Sequence, residues 1–310
     1  MIKREKFISW AVVALLLAFL LTGCSGQTVP TTDTIPDQYS GAVSYLGPEG
    51  TYTQEALKCF FGAEGDYRPQ KTVADAVRQI LEGNCTYAVI PQENTIGGPV
   101  YDYVDELLSH DDLQIIGEVE LPIRQALLVR EGCTLGQITT VYSHKQGIAQ
   151  SRDWLSEHLP QAKIIEVSST AEGARMVTES EKADCAAVAS VGAAEVYGLT
   201  VLEENIQQND KNQTRFFILS AGKADKTATG ERMVFSAEGS AKDLPKLIAQ
   251  LEKAGMTLVG IHDRPAKTTL GSYIYLIECK NQGWETYEKI TKLSAFRFRY
   301  YGAFSGPKAR

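Results

Sequence analysis

Within these 310 residues, chemistry is best sought where a hydroxyl and a guanidinium stand side by side, in Asn212-Gln213-Thr214-Arg215-Phe216-Phe217. The apolar run Phe216 to Leu219 reads as a strand, and successive strand side chains point to opposite faces. Thr214 and Arg215 therefore serve different surfaces, one facing a cleft and the other bracing it. Other polar segments share a second signature: a strand ends, a short polar loop follows, and a helix begins. They are Gly47-Pro48-Glu49-Gly50-Thr51, Pro91-Gln92-Glu93-Asn94-Thr95, Ser143-His144-Lys145-Gln146 with Gln150, and Ser168-Ser169-Thr170-Ala171-Glu172. Helix N-termini attract anions, and open α/β sheets bind ligands beyond the carboxyl ends of their strands. Gathered at one place, such loops make a pocket for a small dicarboxylate. Taken singly, each has a plain structural role. Gly47 and Gly50 turn the chain, Ser143 N-caps a helix, and Ser169-x-x-Glu172 has the form of a capping box. Neither Gly-x-Gly-x-x-Gly nor a P-loop is present, so nucleotide binding has no support.

These loops need a scaffold. From Gly41 to about Leu219 short apolar runs alternate with helical patterns, as in βα units around a largely parallel sheet. Strands are expected at Val43 to Leu46, Tyr87 to Ile90, Thr139 to Tyr142, Ile164 to Val167 and Ala186 to Ala189. Ala221 to Gly230, poor in apolar residues, reads as a linker. Beyond it the pattern predicts strand Arg232 to Ala237, helix Ala241 to Ala254, and strands Met256 to His262 and Tyr273 to Cys279. Helix Trp284 to Leu293 and strand Phe296 to Tyr301 complete a ferredoxin-like βαββαβ order. The expected domains are thus 41–220 and 232–310, joined by 221–231.

Hydrophobic residues at 44% and charged residues at 22% describe an ordinary globular chain. A net charge of −7 argues against nucleic acid or an anionic lipid surface as partner, while leaving room for a local cationic pocket. Lys3, Arg4 and Lys6, the apolar run Ala11 to Leu21, and Leu21-Thr22-Gly23-Cys24 have the layout of an export signal over 1–24. The ending resembles a bacterial lipoprotein box with Cys24 as the lipidated residue; the alternative is an uncleaved anchor helix. Both place the protein outside the cytoplasm, with 25–40 as a tether and the N-terminal segment as its only membrane contact. Cys59, Cys85, Cys133, Cys185 and Cys279 form no Cys-x-x-Cys pair, and the histidines show no i, i+4 pairing, so no metal site is expected.

In order and separation, the polar segments and Thr214-Arg215-Phe216 resemble the prephenate dehydratase family. The resemblance extends from Gly41 to Gly306. It implies an α/β, two-lobed, periplasmic-binding-protein-like catalytic domain followed by a ferredoxin-like ACT domain. It also implies conversion of prephenate to phenylpyruvate without a cofactor, by a homodimer or homotetramer. On this basis Thr214 is the essential catalytic residue, with Asn94, Ser143 and Gln150 tied to activity. Gly50, Thr51, Glu93, Thr95, Thr170 and Arg215 are expected substrate contacts, and Glu93 and Glu172 are candidate proton sources if buried. Gln92, Gly97 and Lys145 replace the family's commoner Ile, Glu and Pro, and Thr53 stands for Ser. In the C-terminal domain, the resemblance places the phenylalanine site at Ala241-Lys242-Asp243-Leu244 and His262-Asp263-Arg264-Pro265. Charge at Lys242 and Asp243 implies that L-phenylalanine is at most a weak effector, while Arg264-Pro265 preserves a turn. A rival is an exported solute-binding lipoprotein that holds a small carboxylate without turnover, since family dehydratase domains resemble that two-lobed fold.

Overall fold

Three sheets organise residues 39–306, the part of the chain described by this computed structural model. The expected signal segment, Cys24 and the tether up to residue 38 lie outside the described residues. The first sheet is built from β1 (Val43–Leu46), α1 (Tyr52–Phe61), β2 (Tyr67–Gln70), α2 (Val73–Leu81), β3 (Tyr87–Asn94), β4 (Gly98–Pro99), α3 (Tyr101–Ser109) and β5 (Leu113–Pro122). The chain then crosses to a second sheet. It comprises β6 (Ala126–Val129), β7 (Thr140–Ser143), α4 (Lys145–Gln150), α5 (Arg152–His158), β8 (Lys163–Glu166), α6 (Thr170–Glu179), β9 (Cys185–Ala189), α7 (Val191–Tyr197) and β10 (Thr200–Glu203). A second crossing returns the chain as β11 (Gln213–Ala221), between β3 and β5.

The first sheet runs β2-β1-β3-β11-β5 with β4 beside β3, and the second β10-β6-β9-β7-β8. Neither is largely parallel. β1 pairs in parallel with β2 and β3, but β11 is antiparallel to both its neighbours. In the second sheet β7 is parallel to β8 and β9, whereas β6 is antiparallel to β9 and β10. A strand that returns from the other sheet enters from the opposite end, which dictates its direction.

The third sheet comprises β12 (Arg232–Ser240), α8 (Leu244–Lys253), β13 (Leu258–Pro265), β14 (Ser272–Lys280), α9 (Trp284–Leu293) and β15 (Arg297–Phe304), in strand order β13-β14-β12-β15. Its two central strands, β12 and β14, each bury five consecutive residues because both of their faces are covered. Val234 and Leu276 join Tyr301 and Phe304 in a core shared with Ile90, Tyr103, Phe217 and Leu219 of the first sheet and α3. Their neighbours Phe235 and Ile277 face the other way, under Leu247 and Leu251 of α8 and Tyr287 and Ile290 of α9. The period of two thus fastens this sheet to the first one by one face.

Three expectations about local structure change. β3 runs on through Pro91–Asn94, where β11 and β4 supply its partners. β2 was not expected, because Arg68 and Pro69 interrupt its apolar pattern; it is an edge strand, where proline is tolerated. His262–Pro265 form part of β13 rather than a turn. Among the described residues no helix is long and apolar enough to cross a membrane.

Candidate active site

A cleft of about 820 Å³ opens beside the start of β11. Thr214, 8% exposed, lines it and pairs with Asn94 across the ladder. The Asn94 Nδ2 donates to Thr214 Oγ1 at 2.8 Å and to Asn212 Oδ1 at 2.9 Å. Its Oδ1 accepts from the Ile96 and Gly97 backbone N–H groups, each at 2.9 Å, and from Gln146 Nε2 at 3.3 Å. Two backbone donors on one oxygen fix which way the amide points. Thr214 Oγ1 is thereby an acceptor toward Asn94, and its own hydrogen is left for a group in the cleft. The glycine at 97 is also explained: a Cβ there would stand 3.1 Å from Gln146 Nε2 and crowd its approach to Asn94.

Helix starts frame the rest of the cleft. Thr51 precedes α1, with Oγ1 donating to Pro48 O at 2.9 Å, and it lines the cleft. Gly50 does not. Its φ of 77° suits glycine, its N–H donates to Gln54 Oε1 at 2.7 Å, and its back lies against Ala193 and Tyr197 of α7. At α6, Ser169 accepts from Glu172 N at 2.9 Å, and Thr170 lines the cleft. The Glu172 carboxylate turns to Arg175, at 2.6 and 2.8 Å, so only half of the capping box forms. Those hydrogen bonds hold its carboxyl below the usual carboxylate range. Glu172 is therefore ionised at neutral pH and is no proton source.

Several expected site residues stand elsewhere. Ser143 is fully buried, outside the cleft lining, and donates to Val188 O at 2.6 Å. Its position ends β7, so the cap of α4 falls to His144, whose side chain accepts from Gln146 N. Gln150 does line the cleft, and it accepts from Gln125 Nε2 at 2.8 Å. Thr95 braces the strand behind Thr214 by accepting from Gln213 N at 3.0 Å. Arg215 and Glu93 point away from the cleft, as the period of two requires of residues flanking the Thr214–Asn94 pair. Arg215 bonds Glu118 at 2.7 Å and Glu278 at 2.5 Å, with partly exposed Glu93 at 3.6 Å. The segment expected at an effector site packs on α3: His262 meets the Tyr103 ring edge-on, and Arg264 pairs with Asp105 over the Tyr101 ring.

Lys71 and Gln125 also line the cleft and were missed, and so does His144, whose loop was expected there but which was not itself singled out. Lys71 lies just after β2 and before Thr72, the cap of α2. This is the same strand-end, helix-start pattern, hidden because β2 did not read as a strand. His144 is kept neutral by burial and by neighbouring Lys145. With Nδ1 accepting from Gln146, its proton sits on Nε2. Gln125 lies in the crossing to the second sheet, and nothing local in the sequence marks it. No group of three or more His, Cys, Asp or Glu side chains suited to a metal is found among the described residues.

The family model for prephenate dehydratase matches residues 43–224. A prephenate dehydratase of Methanocaldococcus jannaschii is 33% identical over 258 residues, covering 81% of this chain and 92% of that protein. A bifunctional chorismate mutase/prephenate dehydratase of Stutzerimonas stutzeri is 35% identical over 238 residues, 76% of this chain. The match spans 64% of that longer protein. The crystal structure of prephenate dehydratase from Arthrobacter aurescens, in complex with L-Phe, superposes with a TM-score of 0.76 at 28% identity. It covers 85% of this chain and 90% of that one.

Proposed function

The chain belongs to the prephenate dehydratase family, and from that premise we propose that it converts prephenate to phenylpyruvate. The observation that carries this is the Asn94–Thr214 hydrogen bond at the wall of the cleft. In the reaction the ring carboxylate leaves as CO2 and its bonding electrons enter the ring. The C4–O bond breaks, and the departing hydroxide takes a proton that comes in the end from solvent and leaves as water, while the Thr214 hydroxyl donates a hydrogen bond to it. Aromatisation drives the step, so the site must chiefly orient both carboxylates and donate to the departing oxygen. A neutral Thr214 hydroxyl, held by Asn94, has its hydrogen free for that oxygen. Purified protein incubated with prephenate should yield phenylpyruvate, equally well with a chelator present. Tight binding of prephenate without product would instead make it a solute-binding protein.

Two carboxylates must be recognised, and among the described residues lining the cleft Lys71 is the one lysine or arginine. Lys71→Met should raise KM about 10-fold, the order expected for a hydrogen bond to a charged group. With kcat nearly unchanged, the loss would be of uniform binding. The difference from the parent should shrink as salt screens the interaction. An unchanged KM would exclude Lys71 from substrate binding.

The remaining features of this reading concern architecture, regulation and location. The first two sheets act as the lobes of a binding-protein-like catalytic domain, and the third sheet is a ferredoxin-like ACT domain supporting a homodimer or homotetramer. Its βαββαβ order supports this. Lys242 lies exposed in the short turn before α8, and burying it against an amino acid would cost unless it were paired. Phenylalanine should therefore inhibit weakly or not at all. Calorimetry and turnover on the full chain test this, and tight binding that suppresses turnover would refute it. We assign the protein to the outside of the cytoplasm through Cys24. Cys24→Ala should abolish lipid labelling in cells, whereas unlabelled but membrane-bound parent protein would mean an uncleaved anchor.

A further inference from the structure

Behind the cleft wall, one carboxylate from the third sheet touches both strands that carry the Asn94–Thr214 pair. Glu278, on β14, is 5% exposed. Its Oε1 accepts from Arg215 Nη2 at 2.5 Å and Arg232 Nη1 at 2.9 Å, and its Oε2 accepts from Gln92 Nε2 at 3.1 Å. Arg215 directly follows Thr214 on β11, and Gln92 lies two residues before Asn94 on β3. The ladder between these strands is irregular at this point. Arg215 pairs with Glu93, but Phe216 pairs with Pro91, leaving Gln92 as the extra residue of a bulge. Bulges bend and twist a strand and re-aim its side chains, and a slip of one residue would turn every side chain to the other face.

Gln92 is itself 2% exposed, and an amide buried to that degree needs a partner. Burial works to raise the Glu278 carboxyl, but Arg215 and Arg232 outweigh it and hold the group below its ordinary range. It is thus a charged acceptor at neutral pH, the stronger kind of hydrogen-bond partner. Glu118 also binds Arg215 and Arg232, yet it lies on β5 and has no bond to Gln92. Glu93 reaches Arg215 only at 3.6 Å, from a partly exposed position. Glu278 is the group that clasps both sides of the bulge.

We propose that Glu278 is a positioning residue for the dehydration: by holding Arg215 and Gln92 together it sets the register and spacing of Thr214 and Asn94. The third sheet on this view supplies part of the catalytic geometry without touching substrate. The proposal rests on the dehydratase reading above for its kinetic consequence, but its structural content stands apart from it.

The test uses the full chain. Glu278→Gln should lower kcat by ~10²-fold, the scale of a displacement near 1 Å at reacting groups, with KM little changed. Glu278→Asp, keeping the charge, should recover part of that loss. Gln92→Ala removes only one arm, should cost ~10-fold in kcat, and carries the test if Glu278→Gln fails to fold. Because both residues act through one link, the double variant should lose less than the product of the two single effects. Amide exchange of residues 92–95 and 213–216, read by mass spectrometry, should accelerate in both single variants. Parental kcat and parental exchange in Gln92→Ala and in folded Glu278→Gln would overturn the proposal, even if thermal stability fell. If the parent itself yields no phenylpyruvate, the dehydratase reading fails. The exchange data then decide alone whether Glu278 holds the two strands.

Discussion

Thr214→Ala should lower kcat by about 10²–10³ while leaving KM within a few-fold, the usual effect of deleting one donor aimed at charge that develops in the transition state. Free prephenate already carries its hydroxyl, so the ground state gains little from one more hydrogen bond. The C4 oxygen becomes a much better acceptor only as its bond to carbon breaks. Asn94 Nδ2 occupies an acceptor site on Thr214 Oγ1, and this directs the hydroxyl hydrogen to the cleft side. Thr214→Ser should keep part of the rate, with a loss due to the freer rotation of a hydroxyl without its methyl group. Stopped assays at saturating and at limiting prephenate separate the two constants. Parental kcat in Thr214→Ala would remove the residue from the chemistry.

Asn94→Asp is the more discriminating change, since it keeps shape and reverses one bond. A carboxylate can still accept from the Ile96 and Gly97 N–H groups, so the turn after β3 should persist. It cannot donate to Thr214, whose hydroxyl would then turn its hydrogen to the new carboxylate and away from substrate. It also faces Asn212 Oδ1, formerly an acceptor at 2.9 Å. Added negative charge beside a dianionic substrate weakens binding as well. The expected outcome is a loss in kcat of about 10²-fold, like that of losing the donor itself, together with a higher KM. Melting temperature should fall by less than in Asn94→Ala, which leaves two backbone donors without their partner. A variant with parental kcat would show that Thr214 needs no orientation by Asn94.

The division of labour between Thr214 and Arg215 was legible because a strand's period of two is a local property. The same holds for the helix starts after Thr51 and Ser169, where a glycine turn and a serine cap lie within a few residues of the helix. Arg215's partners were not legible: Glu118 and Glu278 lie 97 and 63 residues away, and no short pattern encodes which buried carboxylate meets which guanidinium. Ser143 was misplaced by a single position. The strand runs one residue further than its apolar pattern, which turns the hydroxyl inward to Val188 and hands the cap to His144. Lys71 was lost with β2, an edge strand whose pairing with β1 is made by backbone groups rather than by an apolar face. Gln92 was seen only as a departure from the family pattern. Its reason is tertiary, a carboxylate from another sheet.

Among the described residues the chain passes between the first two sheets twice, through residues 123–125 and 204–212. Any change in the angle between those sheets must bend at these two connections. Gln125 lies within one crossing, and Thr214 is the second residue of the strand that follows the other. Points near a pivot move least for a given rotation. Elsewhere the two sheets touch through Tyr197 Oη of α7, which donates to Glu49 O at 2.9 Å, a contact that a change in that angle must break or carry along. Residues beside the two connections, Gln125 and Thr214 among them, therefore keep their spacing best when that angle changes.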